Sequence, residues 1–186
     1  MVRTRVGYCG GITLNPTYHN LGDHTETLQI DYDPVKITYE ELLPVFWENH
    51  DPTYPAWSRQ YRPVIFYHTE EQRRLAIVSK EREAARRNGK IVTEIIRAGQ
   101  FYLAEDYHQK YRLRHDRDLL KEFNAMYSSH VDFVNSTSAA RANGFLDGYG
   151  SLEDLKSELD SLGLSPSANK KLLEIAKKRE KMGARC

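Results

Sequence analysis

Arg62-Pro63-Val64-Ile65-Phe66-Tyr67-His68, the run from Thr69 to Asn88-Gly89, and Ile91-Val92-Thr93-Glu94-Ile95-Ile96-Arg97 together decide the fold class. The first piece is apolar on both faces, the pattern of a central strand. The second opens with Thr69 and Gln72 at capping-box spacing and closes on Asn-Gly, so it reads as a helix marked at both ends. The third is rich in β-branched residues and reads as a strand. Upstream, residues 2–8 form a short extended segment ended by Gly7, Gly10 and Gly11. Residues 25–32 alternate, with Leu28, Ile30 and Tyr32 on one face and Thr27, Gln29 and Asp31 on the other. Thr38 and Glu41 make a capping box for a helix through about Asn49, with Leu42, Leu43, Phe46 and Trp47 as its buried face and Pro44 inside it. This order of strands and helices predicts an α+β fold: a two-layer sandwich with a ferredoxin-like mixed sheet and helices on one face.

Beyond Arg112 the aromatics thin out and no strand pattern remains. Ser151 with Asp154 opens a helix carrying Leu152, Leu155, Leu159 and Leu162, and Gly163 stops it. Ser165-Pro166 opens another, with proline at the first helical position. The expected organisation is a first domain over residues 1–112 and a helical C-terminal extension over 113–186.

Hydrophobic content of 40%, charged content of 28% and a net charge of +1 are those of a globular protein with no overall pull toward nucleic acid or membrane. No apolar run approaches the roughly 18 residues of a membrane span. The start, Met1-Val2-Arg3-Thr4-Arg5, lacks the apolar stretch of a signal peptide. Cys9 and Cys186 lie at opposite ends and make no disulfide framework, which suits a reducing, cytoplasmic setting. The basic residues between 70 and 90 are interrupted by Glu70, Glu71, Glu81 and Glu83 and read as a solvated helix face. His19 and His24 have no matching cysteine nearby, so no metal site is expected.

Gly99 through Tyr111 holds four aromatic rings, two carboxylates and a histidine, too polar for core and too aromatic for an ordinary loop. It reads as one wall of a site for a small polar group. Asn15-Pro16-Thr17-Tyr18 and His24-Thr25-Glu26 read as the other. Glu26 shares strand parity with Leu28, Ile30 and Tyr32, so the alternation points it inward. A carboxylate held out of water keeps its proton and can donate it near neutral pH. The other reading of Glu26 is a strand-end glutamate reaching solvent, or one paired with Arg62. Tyr18, Tyr102, Tyr107 and Tyr111 either donate hydrogen bonds to a substrate oxygen or fill space as amphipathic core. Asp106 and His108 are either an acid–base pair or helix-start and surface residues. Cys9 sits among glycines, where a small residue packs. Cys186, near Lys178, Arg179 and Arg185, has the surroundings that favour a thiolate.

These strings resemble the methionine sulfoxide reductase A family: Thr4-Arg5-Val6-Gly7-Tyr8-Cys9-Gly10-Gly11, Asn15-Pro16-Thr17-Tyr18, His24-Thr25-Glu26, Val45 through Thr53, Gln60-Tyr61-Arg62, and Phe101 through Tyr111. They run in the family's order over residues 3–111, and the region after 112 resembles the helical extension of an animal branch. The resemblance implies reduction of the S-epimer of methionine sulfoxide, free or in protein. It implies Glu26 as the proton donor, Tyr18 and Tyr111 on the sulfoxide oxygen, Asp106 in support, and Cys186 as the resolving cysteine. It implies no cofactor, with thioredoxin or another thiol as reductant, and a monomer is expected. The family's nucleophile motif, Gly-Cys-Phe-Trp-Gly, does not occur in the 186 residues, and the segment between Thr53 and Gln60 lacks the usual Gly-Asn-Asp. The first domain is therefore expected to be N-terminally incomplete and the chain impaired. The alternative is a non-catalytic truncated form acting as a binding or interaction module.

Overall fold

The structure, a computed structural model, describes residues 2–87 and 89–183, with only the backbone described for 180–183. It forms two compact units: Val6–Glu105, and Val2–Arg5 together with the residues from Asp106 on.

In the first unit, strand β1 (Arg3–Cys9, whose first residues belong with the second unit) lies between β2 (Thr25–Asp31) and β5 (Tyr102–Leu103). β1 and β5 are antiparallel, with Gly7 opposite Leu103 and Tyr8 opposite Tyr102. A Cβ on Gly7 would come within 2.2 Å of the Tyr102 carbonyl and 2.3 Å of the Phe101 ring, so only glycine permits this approach.

A second, parallel sheet pairs β3 (Val64–Tyr67) with β4 (Glu94–Arg97). Helix α2 (Glu70–Arg87) makes the crossover, as parallel strands require. Thr69 Oγ1 accepts from Gln72 N at 3.1 Å, and Gln72 Oε1 accepts from His68 N at 2.8 Å, so the signal at 69–72 sets the helix start. Helix α1 (Tyr39–Glu48) carries the full Thr38–Glu41 capping box and continues through Pro44. It packs on α2 around Leu43, Trp47, Ile65, Ala76 and Ile91. Burying a side chain of this size contributes about 1.5–3 kcal/mol. The Trp47 indole N–H donates to Ser79 Oγ at 2.5 Å, so the polar end of the largest core residue is also satisfied.

The α+β class is as expected. The strands, however, form two small sheets rather than one, and β3 has one strand neighbour among the described residues, not the two of a central strand. Its apolar residues divide unevenly, with Ile65 buried and Val64, Phe66 and Tyr67 partly exposed. An apolar run signals burial without saying how many strands share it.

The second unit is helical: α3 (Tyr111–Arg114), α4 (Arg117–Met126), α5 (His130–Asn135), α6 (Thr137–Asp147), α7 (Leu152–Leu162) and α8 (Pro166–Gly183). Its core joins Leu113, Leu119, Phe123, Phe133, Phe145, Leu155 and Leu172 with smaller neighbours. The Ser151–Asp154 capping box and Gly163 in the left-handed region bound α7 where the sequence places them. The extended Val2–Arg5 segment is tied to this unit by its backbone. Lys110 Nζ donates to Thr4 O at 2.5 Å, and Thr137 Oγ1 donates to Val2 O at 2.5 Å. Burial, with Arg5 nearby, pushes the Lys110 amine down to about 8.

Candidate active site

The site residues of the first unit gather around a 3-10 turn, Arg59–Tyr61. Thr25, at 2% exposure the most buried residue of β2, donates its hydroxyl to Arg59 O at 2.6 Å and to Gln60 O at 3.3 Å. This ties the turn to the strand. Glu26 follows Thr25 and so points to the opposite face. Gln60 Nε2 donates to Glu26 Oε1 at 2.5 Å. The Tyr61 hydroxyl is hydrogen-bonded to that of Tyr18. That bond, partial burial and the Glu26 charge beside it raise the Tyr61 phenol above its ordinary value. Tyr18 is placed from its other side: Glu105 Oε1 accepts from Tyr18 N at 2.9 Å, and Glu105 Oε2 accepts from the Tyr8 hydroxyl at 2.6 Å. The turn's far end is fixed by Arg62, whose Nη1 pairs with Glu94 at 3.1 Å and whose Nη2 donates to Gly10 O at 3.4 Å. The same segment walls a cleft of about 230 Å³ with Pro55, Ala56, Ser58, Val92 and Glu94.

The loop that carries Tyr18 to the sheet is organised by His24 and Asp23. His24 is buried and uses both ring nitrogens on backbone: Nδ1 accepts from Gly11 N at 3.2 Å, and Nε2 lies 2.8 Å from Thr13 O. With Nδ1 accepting, Nε2 carries the proton. Asp23 accepts from Thr13 N at 3.0 Å, Ile12 N at 2.9 Å and Thr13 Oγ1 at 2.8 Å, and these bonds hold its carboxyl well below the usual carboxylate range. His24 thus has a structural task.

Glu26 corrects the expectation drawn from strand parity. It is exposed, as is Leu28 at 59%, while Thr25 on the opposite face is buried. Alternation sorts residues into two faces but does not say which is covered. The other reading, a strand-end glutamate reaching solvent, describes its surroundings. Its partner is Gln60, and Arg62 pairs instead with Glu94.

Asp106 and Tyr111 belong to the second unit. Asp106 opens a short 3-10 turn, and its Oδ1 lies 2.7 Å from His130 Nε2; His130 Nδ1 in turn lies 3.0 Å from Arg114 Nη2. Its histidine is thus His130, from α5, where the sequence pairing suggested His108. Tyr111 is half exposed, with its ring 4.2 Å from that of His115. Cys9 is 3% exposed, with Sγ 4.0 Å from Gly99 O, and packs as a small core residue. Cys186 lies outside the described residues.

Sequence reasoning placed Thr25 and Glu105 in the two walls and Gln60 and Tyr61 in a matching string but gave none of the four a role. Gln60-Tyr61-Arg62 stands out as a string, but its pairing with Glu26 spans 34 positions and leaves no local signal.

A phenol pair and a carboxylate on one surface of an α+β unit make a site suited to a polarised oxygen, and solved structures that match this chain include methionine sulfoxide reductases. Methionine sulfoxide reductase A of Corynebacterium diphtheriae matches with a TM-score of 0.53 and 35% identity, over 62% of this chain and 64% of that one. Reduced Mxr1 from Saccharomyces cerevisiae matches with a TM-score of 0.57 and 31% identity, over 61% of this chain and 70% of that one. Among curated relatives, the Drosophila melanogaster peptide methionine sulfoxide reductase is 43% identical over 189 residues, covering 100% of this chain and 75% of its own length. The family described as peptide methionine sulfoxide reductase matches residues 1–140. The chain belongs to this family of enzymes. No helix among the described residues is long and apolar enough to cross a membrane.

Proposed function

We propose that the chain acts in the thiol-dependent reduction of methionine-S-sulfoxide, in proteins or free, to methionine. Glu26 gives a proton to the sulfoxide oxygen as a thiolate attacks the sulfur; a sulfur–sulfur bond forms as the S–O bond breaks and hydroxide departs, hydroxide then attacks the cysteine sulfur and breaks that bond, and methionine leaves with the cysteine as a sulfenic acid. The resemblance implies Tyr18 and Tyr111 on the oxygen, and within the first unit Tyr61 acts beside Tyr18. In a hydrogen-bonded pair of hydroxyls the accepting one is polarised to donate more strongly, so the Tyr18–Tyr61 pair favours donation to the sulfoxide oxygen. Asp106 supports the site, Cys186 resolves the sulfenic acid, and thioredoxin or another thiol returns the enzyme to its reduced form in the cytoplasm.

The observation that carries this reading is the cluster of Glu26, Gln60, Tyr61 and Tyr18 around one turn. The missing part is the attacker: the 186 residues hold no Gly-Cys-Phe-Trp-Gly, and Cys9 is buried. The second reading is a non-catalytic form acting as a binding or interaction module.

A reductase assay separates the two. With dithiothreitol and a methionine-S-sulfoxide peptide, the 186-residue chain is expected to give no turnover above background. Joined to a segment bearing Gly-Cys-Phe-Trp-Gly it becomes active, and Glu26→Gln then slows it by about 10²-fold at neutral pH. An unchanged rate in the Glu26→Gln form removes the acid role.

A further inference from the structure

Of the two tryptophans, Trp47 is core, whereas Trp57 is 84% exposed. Trp57 stands on Tyr54-Pro55-Ala56-Trp57-Ser58, a run without charge, and Tyr54 is exposed beside it. Its ring lies 5.0 Å from that of Tyr61, the residue hydrogen-bonded to Tyr18 next to Glu26. The turn after it is clamped by Thr25 and Arg62. A large apolar ring is thus held in water on a fixed mount, continuous with the oxygen-binding cluster. Exposed aromatics on rigid mounts are the residues that carry binding energy at interfaces.

Resting on the sulfoxide-reducing reading above, we infer that Trp57 forms a subsite for an apolar residue of a polypeptide substrate, two positions from the oxidised methionine. The spacing selects a peptide. In an extended segment, side chains at i and i+2 share one face and stand on the order of 7 Å apart. With the sulfoxide oxygen at the Tyr18 and Tyr61 hydroxyls, the Trp57 ring, 5.0 Å from that of Tyr61, lies within reach of a neighbour at that spacing. The uncharged run around Trp57 suits an aromatic or aliphatic side chain, which gains by stacking on the indole. Free methionine sulfoxide has no such residue and leaves the subsite empty.

The test compares three ligands on the 186-residue chain: free methionine-S-sulfoxide, a dye-labelled peptide with the sulfoxide among glycines, and the same peptide with phenylalanine two positions to either side. Peptide binding is read by fluorescence anisotropy, and free ligand by broadening of its S-methyl NMR line. The parent is expected to bind the phenylalanine peptide about tenfold more tightly than the glycine peptide. Trp57→Ala should abolish that preference, Trp57→Phe should keep most of it, and affinity for the free sulfoxide should stay the same in all three. An unchanged preference in Trp57→Ala overturns the subsite while leaving the sulfoxide site standing. Failure of the parent to bind any of the three ligands refutes the sulfoxide reading, and the subsite falls with it.

Discussion

Thr25→Val isolates the device that positions the cluster. The two side chains have nearly the same shape, and the residue is only 2% exposed. The substitution removes a 2.6 Å hydrogen bond to Arg59 O and a 3.3 Å one to Gln60 O. Arg59 O keeps its bond from Arg62 N, so the loss is that of a hydrogen bond, about 0.5–1.5 kcal/mol. That cost falls on the Arg59–Tyr61 turn, whose own backbone bonds are few: Tyr61 N to Ser58 O at 3.2 Å and Arg62 N to Arg59 O at 3.4 Å. Amide hydrogen exchange reads local opening directly. The amides of Tyr61 and Arg62 are expected to exchange about 2- to 12-fold faster in Thr25→Val, with amides of α1 and α2 little changed and Thr25→Ser close to the parent. Parent-like exchange at Tyr61 and Arg62 would show that the turn does not depend on the Thr25 hydroxyl.

Asp23 titrates below the ordinary range because its carboxylate is hydrogen-bonded in the folded state, so its contribution is full above its unfolded value near 4 and is lost as pH falls through the lower folded one. Thermal melting of Asp23→Asn should therefore lie below the parent at pH 7, with the gap closing in acid; a constant gap would contradict this. For Lys110 the sign is opposite. Its folded value near 8 lies below the unfolded value near 10.5, so the unfolded state holds more protons in that window and stability rises with pH. Relative to Lys110→Met, the parent should gain up to roughly 3 kcal/mol between pH 8 and 10.5, measured as the difference in melting behaviour. Parallel pH profiles would refute it.

The elements most legible in the sequence are those with chemical end-marks. Thr38–Glu41, Thr69–Gln72, Ser151–Asp154 and Gly163 bound their helices because caps satisfy orphaned backbone groups locally. Helices α4 to α6 carry caps too, at Asp116, Ser129 and Ser136, but they run only 6 to 11 residues and share one core, so no helix shows a long stripe of its own. Sheet partnership was not legible, because an apolar run such as Val64–Tyr67 records burial and not its neighbours. The site divides in the same way. Glu26 and Tyr18 stood out by motif, and the solvent side of Glu26 was set by Thr25, which turns the other way to hold the turn. Gln60 and Tyr61 join the cluster through contacts far apart in the chain, a property of the fold rather than of any local pattern.

The most direct test of the central claim, that Tyr18, Tyr61 and Glu26 recognise a sulfoxide oxygen, is a titration of the 186-residue chain with free methionine-S-sulfoxide and with methionine. The expected result is binding of the sulfoxide and none of methionine, with Tyr18→Phe plus Tyr61→Phe weakening the sulfoxide by about tenfold or more. Equal binding of methionine, or full affinity without the two hydroxyls, would contradict it.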